Sequence, residues 1–153
     1  MRHRALWRIV PSLAFALLAM AALGPWAALA HERRAIGDYS FLVGFNAEPA
    51  IQGQMNGAQL TVTMPGEDNR PVVGLQDTLQ MWVSYGDNAP KTFPLAAVGS
   101  TPGRYVAQFI PTESGTYTFM FTGTVEGLPV NEQFVSGPGR FSDVDPAASL
   151  QYP

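Results

Sequence analysis

Histidine, the carboxylates and the methionines are the side chains with which this chain could hold an ion or move a proton. Cysteine is not among them, because the 153 residues contain none. Disulfides, thiolate metal sites and thiol nucleophiles are therefore excluded. Of the two histidines, His3 lies in a leader and His31 follows it. If the leader is cut after Ala30, His31 becomes the first residue. Its α-amine and imidazole Nδ1 could then chelate one ion in a six-membered ring, and such nitrogens suit Cu(II) best among divalent ions. A second imidazole is impossible within one mature chain. Further ligands would have to be carboxylates, with Glu32 and Asp38 the candidates near His31 and Glu126 or Glu132 more distant ones. The bland reading of His31 is the first residue of a frayed end.

The methionines give a weaker signal. Met64 and Met81 fall in phase with apolar neighbours, so packing accounts for them. Met55 lies in a Gly/Asn turn, Met120 is out of phase, and no Met-x-Met run suggests a Cu(I) site. Trp82 is also out of phase, with Leu79, Met81, Val83 and Tyr85 on the other face of its strand. It shares its own face with Gln80 and Ser84, which should point outward. Two readings stand: an exposed anchor for a partner or a sugar ring, or a side chain covered by the C-terminal tail through Leu150 or Tyr152.

No catalytic set assembles. A lone terminal histidine cannot serve a Ser–His–Asp arrangement. The carboxylate pairs Glu67-Asp68 and Asp143/Asp145 lie in polar turns or the tail, without the burial that glycosidase acids need. Asp143-Val144-Asp145 lacks the spaced oxygens of a calcium loop. Gly137-Pro138-Gly139-Arg140 is not followed by a helix and is no phosphate loop. The chain is not expected to be an enzyme.

The address comes from the N-terminus. Arg2, Arg4 and Arg8 precede an apolar run from Ile9 to Leu23, and Ala28-Leu29-Ala30 ends it with small residues at its first and third positions. This is the pattern of a signal peptide, residues 1–30, removed between Ala30 and His31. The rival, a retained anchor, would have Ile9 to Ala30 barely span a bilayer and carry Pro11 and Pro25. The product is expected to be extracytoplasmic, periplasmic or secreted, with no stable membrane insertion after cleavage. The chain has 9 Lys+Arg and 12 Asp+Glu, and the leader takes three of the arginines. The remainder has six basic and twelve acidic residues, net −6. Such a surface repels nucleic acid, and no nucleic-acid partner is expected.

Strict alternation marks half-buried strands. Seven are expected: Tyr39 to Phe45, Leu60 to Met64, Leu79 to Tyr85, Phe93 to Ala97, Tyr105 to Phe109, Tyr117 to Phe121, and Pro129 to Val135. Turn chemistry separates them at 52–57, 65–69, 86–90 and 101–103. The fold class that follows is all-β, an immunoglobulin-like antiparallel sandwich over residues 31–135. Phe41, Leu60, Val83, Tyr117 and Phe119 should share its core. Residues 136–153 form a tail packed on the domain or trailing from it. Glu113 to Phe119 resembles the tyrosine corner of immunoglobulin-like domains, with Phe119 where antibody domains have a cysteine.

Pro102-Gly103-Arg104-Tyr105-Val106-Ala107, then Pro111, then Gly115-Thr116-Tyr117-Thr118-Phe119 resembles bacterial extracytoplasmic immunoglobulin-like modules of the YtkA-like kind. Arg70-Pro71-Val72-Val73-Gly74-Leu75 is similar to the same modules, and the likeness covers about Asn56 to Phe121. These motifs are structural, so the resemblance implies a fold more than a function. The architecture is also similar to CopC-type periplasmic copper carriers, whose mature chains begin with a copper-binding histidine. That pattern needs another histidine, which this chain lacks. The expected function is a non-catalytic binding or accessory module of the cell envelope, docking a protein partner. The alternative is a periplasmic copper-handling protein using His31.

Overall fold

The computed structural model describes residues 30–66 and 68–153. Residues 1–29, which hold all but the last residue of the expected signal peptide, and Glu67 lie outside the described residues. Ten strands follow in chain order: β1 (His31–Ile36), β2 (Tyr39–Phe45), β3 (Asn56–Met64), β4 (Arg70–Pro71), β5 (Leu79–Tyr85), β6 (Lys91–Phe93), β7 (Ala96–Ala97), β8 (Arg104–Phe109), β9 (Tyr117–Val125) and β10 (Leu128–Val135). They form two antiparallel sheets, ordered β1-β2-β3-β8-β7 with β4 beside β3, and β10-β9-β5-β6. With β2, β3, β5, β6, β7, β8, β9 and β10 lettered A, B, C, C′, D, E, F and G, the sheets read A-B-E-D and G-F-C-C′. That is the immunoglobulin arrangement, with β1 added outside strand A.

The alternating residues meet as expected. Phe41, Leu60 and Phe119 are wholly buried, and Val83 and Tyr117 nearly so, in one core. An aromatic cluster fills one end, where Phe45 lies edge-on to Phe119 at 5.1 Å between centroids. The Tyr117 hydroxyl donates to the Glu113 carbonyl at 3.0 Å and accepts the Glu113 N–H at 3.2 Å. This is the tyrosine corner, and it fixes the turn into β9.

Besides the short β4, which was not expected, four features depart from the sequence reading. First, β1 is a strand, in register with β2 from His31↔Gly44 to Ile36↔Tyr39. His31 is thus placed by a sheet edge rather than frayed. Second, β3 starts at Asn56, within the segment read as a turn. Third, the expected fourth strand is two: β6 pairs with β5, and β7 pairs with β8 in the other sheet. Pro94-Leu95 carries the chain across, with Leu95 buried. Fourth, Leu150 and Tyr152 do not pin the tail, being 61% and 97% exposed. Phe141 and Val144 do so instead. Phe141 is fully buried and Val144 exchanges backbone hydrogen bonds with Gly115 at 2.8 and 3.0 Å.

The tail also encloses a carboxyl. Glu48, in the loop after β2, has both oxygens out of solvent and without a well-formed hydrogen bond. Burial pushes its pKa up to about 7, and the nearby Asp145 carboxylate adds to the rise. The Ser142 hydroxyl and the Phe45 and Ala50 N–H groups lie close enough only to temper it. The folded state therefore holds a proton that the unfolded chain releases near its ordinary value of 4.5. Stability should fall as pH rises from about 4.5 through about 7. The rest of this half-buried residue meets solvent, which screens the charge, so the loss should be on the order of 1–2 kcal/mol. Glu48→Gln should flatten denaturation midpoints over that window. An equal pH slope in both proteins would refute the assignment. The Arg70-bound Glu126, held down to about 2, acts below this window.

Candidate functional site

The outward positions of the four-stranded sheet build one continuous face. The core takes Leu79, Met81 and Val83 from β5, so Gln80, Trp82 and Ser84 must face out. In β9, Phe119 and Phe121 point inward, which leaves Thr118, Met120 and Thr122 outside. The pairing then sets rows across the sheet. Thr92, Trp82, Met120 and Gln133 form the central row. Gln80, Thr122 and Asn131 flank it on one side, and Ser84, Thr118 and Val135 on the other. None of these ten side chains is charged.

Trp82 sits at the centre and is half-buried. Its indole N–H donates to Thr122 Oγ1 at 3.2 Å, so the ring is drawn over strand β9 beside Met120. The Gln133 amide donates to Met120 Sδ at 3.6 Å. Both contacts hold the central side chains against the sheet and leave an apolar platform bordered by hydroxyls and amides. An amphipathic indole at low entropy cost, ringed by uncharged hydrogen-bonding groups, has the composition of an interface centre. The exposure of Tyr152 and Leu150 shows that neither side chain buries itself over Trp82.

The proposed metal ligands are not brought together. His31 points to the outer face of the six-stranded sheet, while Glu32 points to the opposite face of β1, as successive strand residues must. There Glu32 accepts from Arg34 at 2.6 Å, and Arg34 also reaches Glu132 at 2.9 Å. Asp38 lies in the β1–β2 turn, seven residues further along, about 20 Å away in an extended strand. Glu126 pairs with Arg70 at 2.8 Å. Among the described residues no three His, Asp or Glu side chains form a group that could hold an ion. Burial lowers the His31 pKa and the nearby Arg104 guanidinium lowers it further, against the Gln59 amide. That cation also opposes a metal at the same imidazole.

Residue-by-residue reading weighed Met120 only as a thioether ligand and passed over Thr92, Thr118, Thr122, Asn131 and Gln133. Their signal was present in the out-of-phase position of Met120 and in the lack of charge at every second position of three strands. Neither a family model nor a curated protein matches this chain.

Proposed function

We propose that this protein is an exported, non-catalytic binding module of the cell envelope. It docks a protein partner through the outer face of the β10-β9-β5-β6 sheet, with Trp82 and Met120 as the anchor. One observation carries this reading. A chain with twelve acidic residues among its last 123 keeps this whole face free of charge and sets a half-exposed tryptophan at its centre. Depletion of charge around an aromatic anchor is the compositional mark of an interface core. The resemblance to extracytoplasmic immunoglobulin-like modules supports the same reading.

The absence of native cysteine makes single-cysteine crosslinking clean. A photocrosslinker on Thr122→Cys should trap one discrete partner in the cell envelope. The same label on Val73→Cys, an exposed position in the loop after β4 and outside this face, should not. Trp82→Ala in the Thr122→Cys background should abolish the adduct, and the partner trapped is then identified by mass. No adduct, or an adduct indifferent to Trp82, would refute the docking face.

A further inference from the structure

The second sheet presents a different outer face. His31 and Arg33 of β1, Asn46 after β2, Gln59 of β3 and Arg104 of β8 all lie on it. The described outward residues of these strands include no aspartate or glutamate. The arginines elsewhere that make ion pairs have carboxylates at 2.6 to 2.9 Å, Arg34 with Glu32 and Glu132, and Arg70 with Glu126. Arg33 and Arg104 have neutral acceptors instead. Arg33 donates to Ser40 Oγ at 2.9 Å, and Arg104 donates to Asn46 Oδ1 at 3.1 Å. Their charge is oriented but not compensated.

Between them the surface is built tightly. An added Cβ on Gly44 would stand 2.9 Å from the His31 imidazole, so only glycine lets the ring lie against the sheet. Gln59, on the neighbouring strand, is 7% exposed although it faces away from the core. His31 Nε2 and Arg104 Nε are both out of solvent and lack a partner. Arg33, Leu42, Thr61 and Arg104 form one row across β1, β2, β3 and β8. Its ends are three strand spacings apart, about 14 Å between Cα atoms. Carboxylates four residues apart in an extended chain are about 13 Å apart. Guanidinium groups with free N–H donors and fixed geometry are suited to carboxylates.

We propose that this face is a second docking surface, which takes an extended segment rich in Asp and Glu from a protein partner, with Arg33 and Arg104 as its anion contacts. Against the chain's net charge of −6 after residue 30, two uncompensated guanidiniums on a face with no described carboxylate give such a segment attraction.

The test uses the full chain and a fluorescein-labelled peptide of about ten glutamates, read by anisotropy. Binding is expected at low salt and should weaken sharply near 0.3 M salt, where screening is strong. Arg33→Gln with Arg104→Gln should reduce affinity about tenfold or more, a loss of roughly 1.4 kcal/mol or more. Arg33→Lys with Arg104→Lys keeps the charge and should restore most of it, which separates lost charge from lost folding. Trp82→Ala should bind the peptide as the unaltered protein does. No binding, or equal affinity in the glutamine variant, would overturn the proposal. Arginine-dependent capture by phosphatidylglycerol vesicles without peptide binding would also overturn it, in favour of a lipid surface.

Discussion

Truncation of Phe119 to alanine should cost about 3–5 kcal/mol of folding stability, near the upper range for a single core substitution. The side chain is wholly buried on a central strand, opposite Val83 in β5 and Phe134 in β10. Its ring stacks on Phe141 at 5.1 Å and 19°, and meets Phe45 and Phe109 edge-on at 5.1 and 6.0 Å. Three aromatic neighbours from separate segments cannot all close around a missing ring, so a cavity term adds to the lost transfer energy. Urea denaturation of the two proteins measures the difference. A change under about 1 kcal/mol would mean that Phe119 is not where both sheets and the tail converge.

Phe141→Ala should carry a similar cost, about 3–5 kcal/mol, and a second consequence that Phe119→Ala lacks. Residues 136–145 close one end of the sandwich. Asp145 bonds through its backbone to Gln52 at 2.9 Å and Ala50 at 2.8 Å, and Val144 bonds to Gly115. The Ser136 hydroxyl also bonds the Asp143 carboxylate. Phe141 is the fully buried side chain of this segment. Without it the backbone bonds face water with little apolar burial behind them, so the segment should open locally well below the global unfolding free energy. Limited proteolysis should then cut after Ser136 in the variant while the unaltered protein resists. Leu150→Ser and Tyr152→Ser, both at exposed positions, should leave stability within about 0.5 kcal/mol. The opposite pattern, with loss at Leu150 or Tyr152 and none at Phe141, would show that the tail is held elsewhere.

That contrast shows what was legible in the sequence. The strands from Tyr39, Leu79, Tyr105 and Tyr117 were readable because each sets its large apolar side chains on the core face, and period-two alternation is the direct record of that placement. Strand β1 was not, since His31-Glu32-Arg33-Arg34 carries polar groups on both faces. It forms through pairing with β2, and its inward side is a charged plug: Arg34 caps the Phe134 ring at 4.1 Å while bonding Glu32 and Glu132. A lone Phe141 among Gly, Pro and Ser has no period to announce it, so the more conspicuous Leu150 and Tyr152 drew the expectation. The candidate ligands His31 and Glu32 lie on opposite faces of β1 for the reason that made the other strands readable: adjacent residues of a strand face opposite ways. Trp82 was placed correctly by the same rule. The rows that give it neighbours depend on strand register, which alternation within single strands does not specify.

The docking face is tested most directly through its own tryptophan. In the chain beginning at His31, Trp82 is the only tryptophan, since Trp7 and Trp26 precede it. Its emission therefore reports one position. With the partner identified by crosslinking and a form of that partner lacking tryptophan, addition should shift the Trp82 emission to shorter wavelength and saturate with complex formation, as the half-exposed indole loses water. Complex formation with an unchanged Trp82 spectrum would place the contact elsewhere and contradict the assignment of this face.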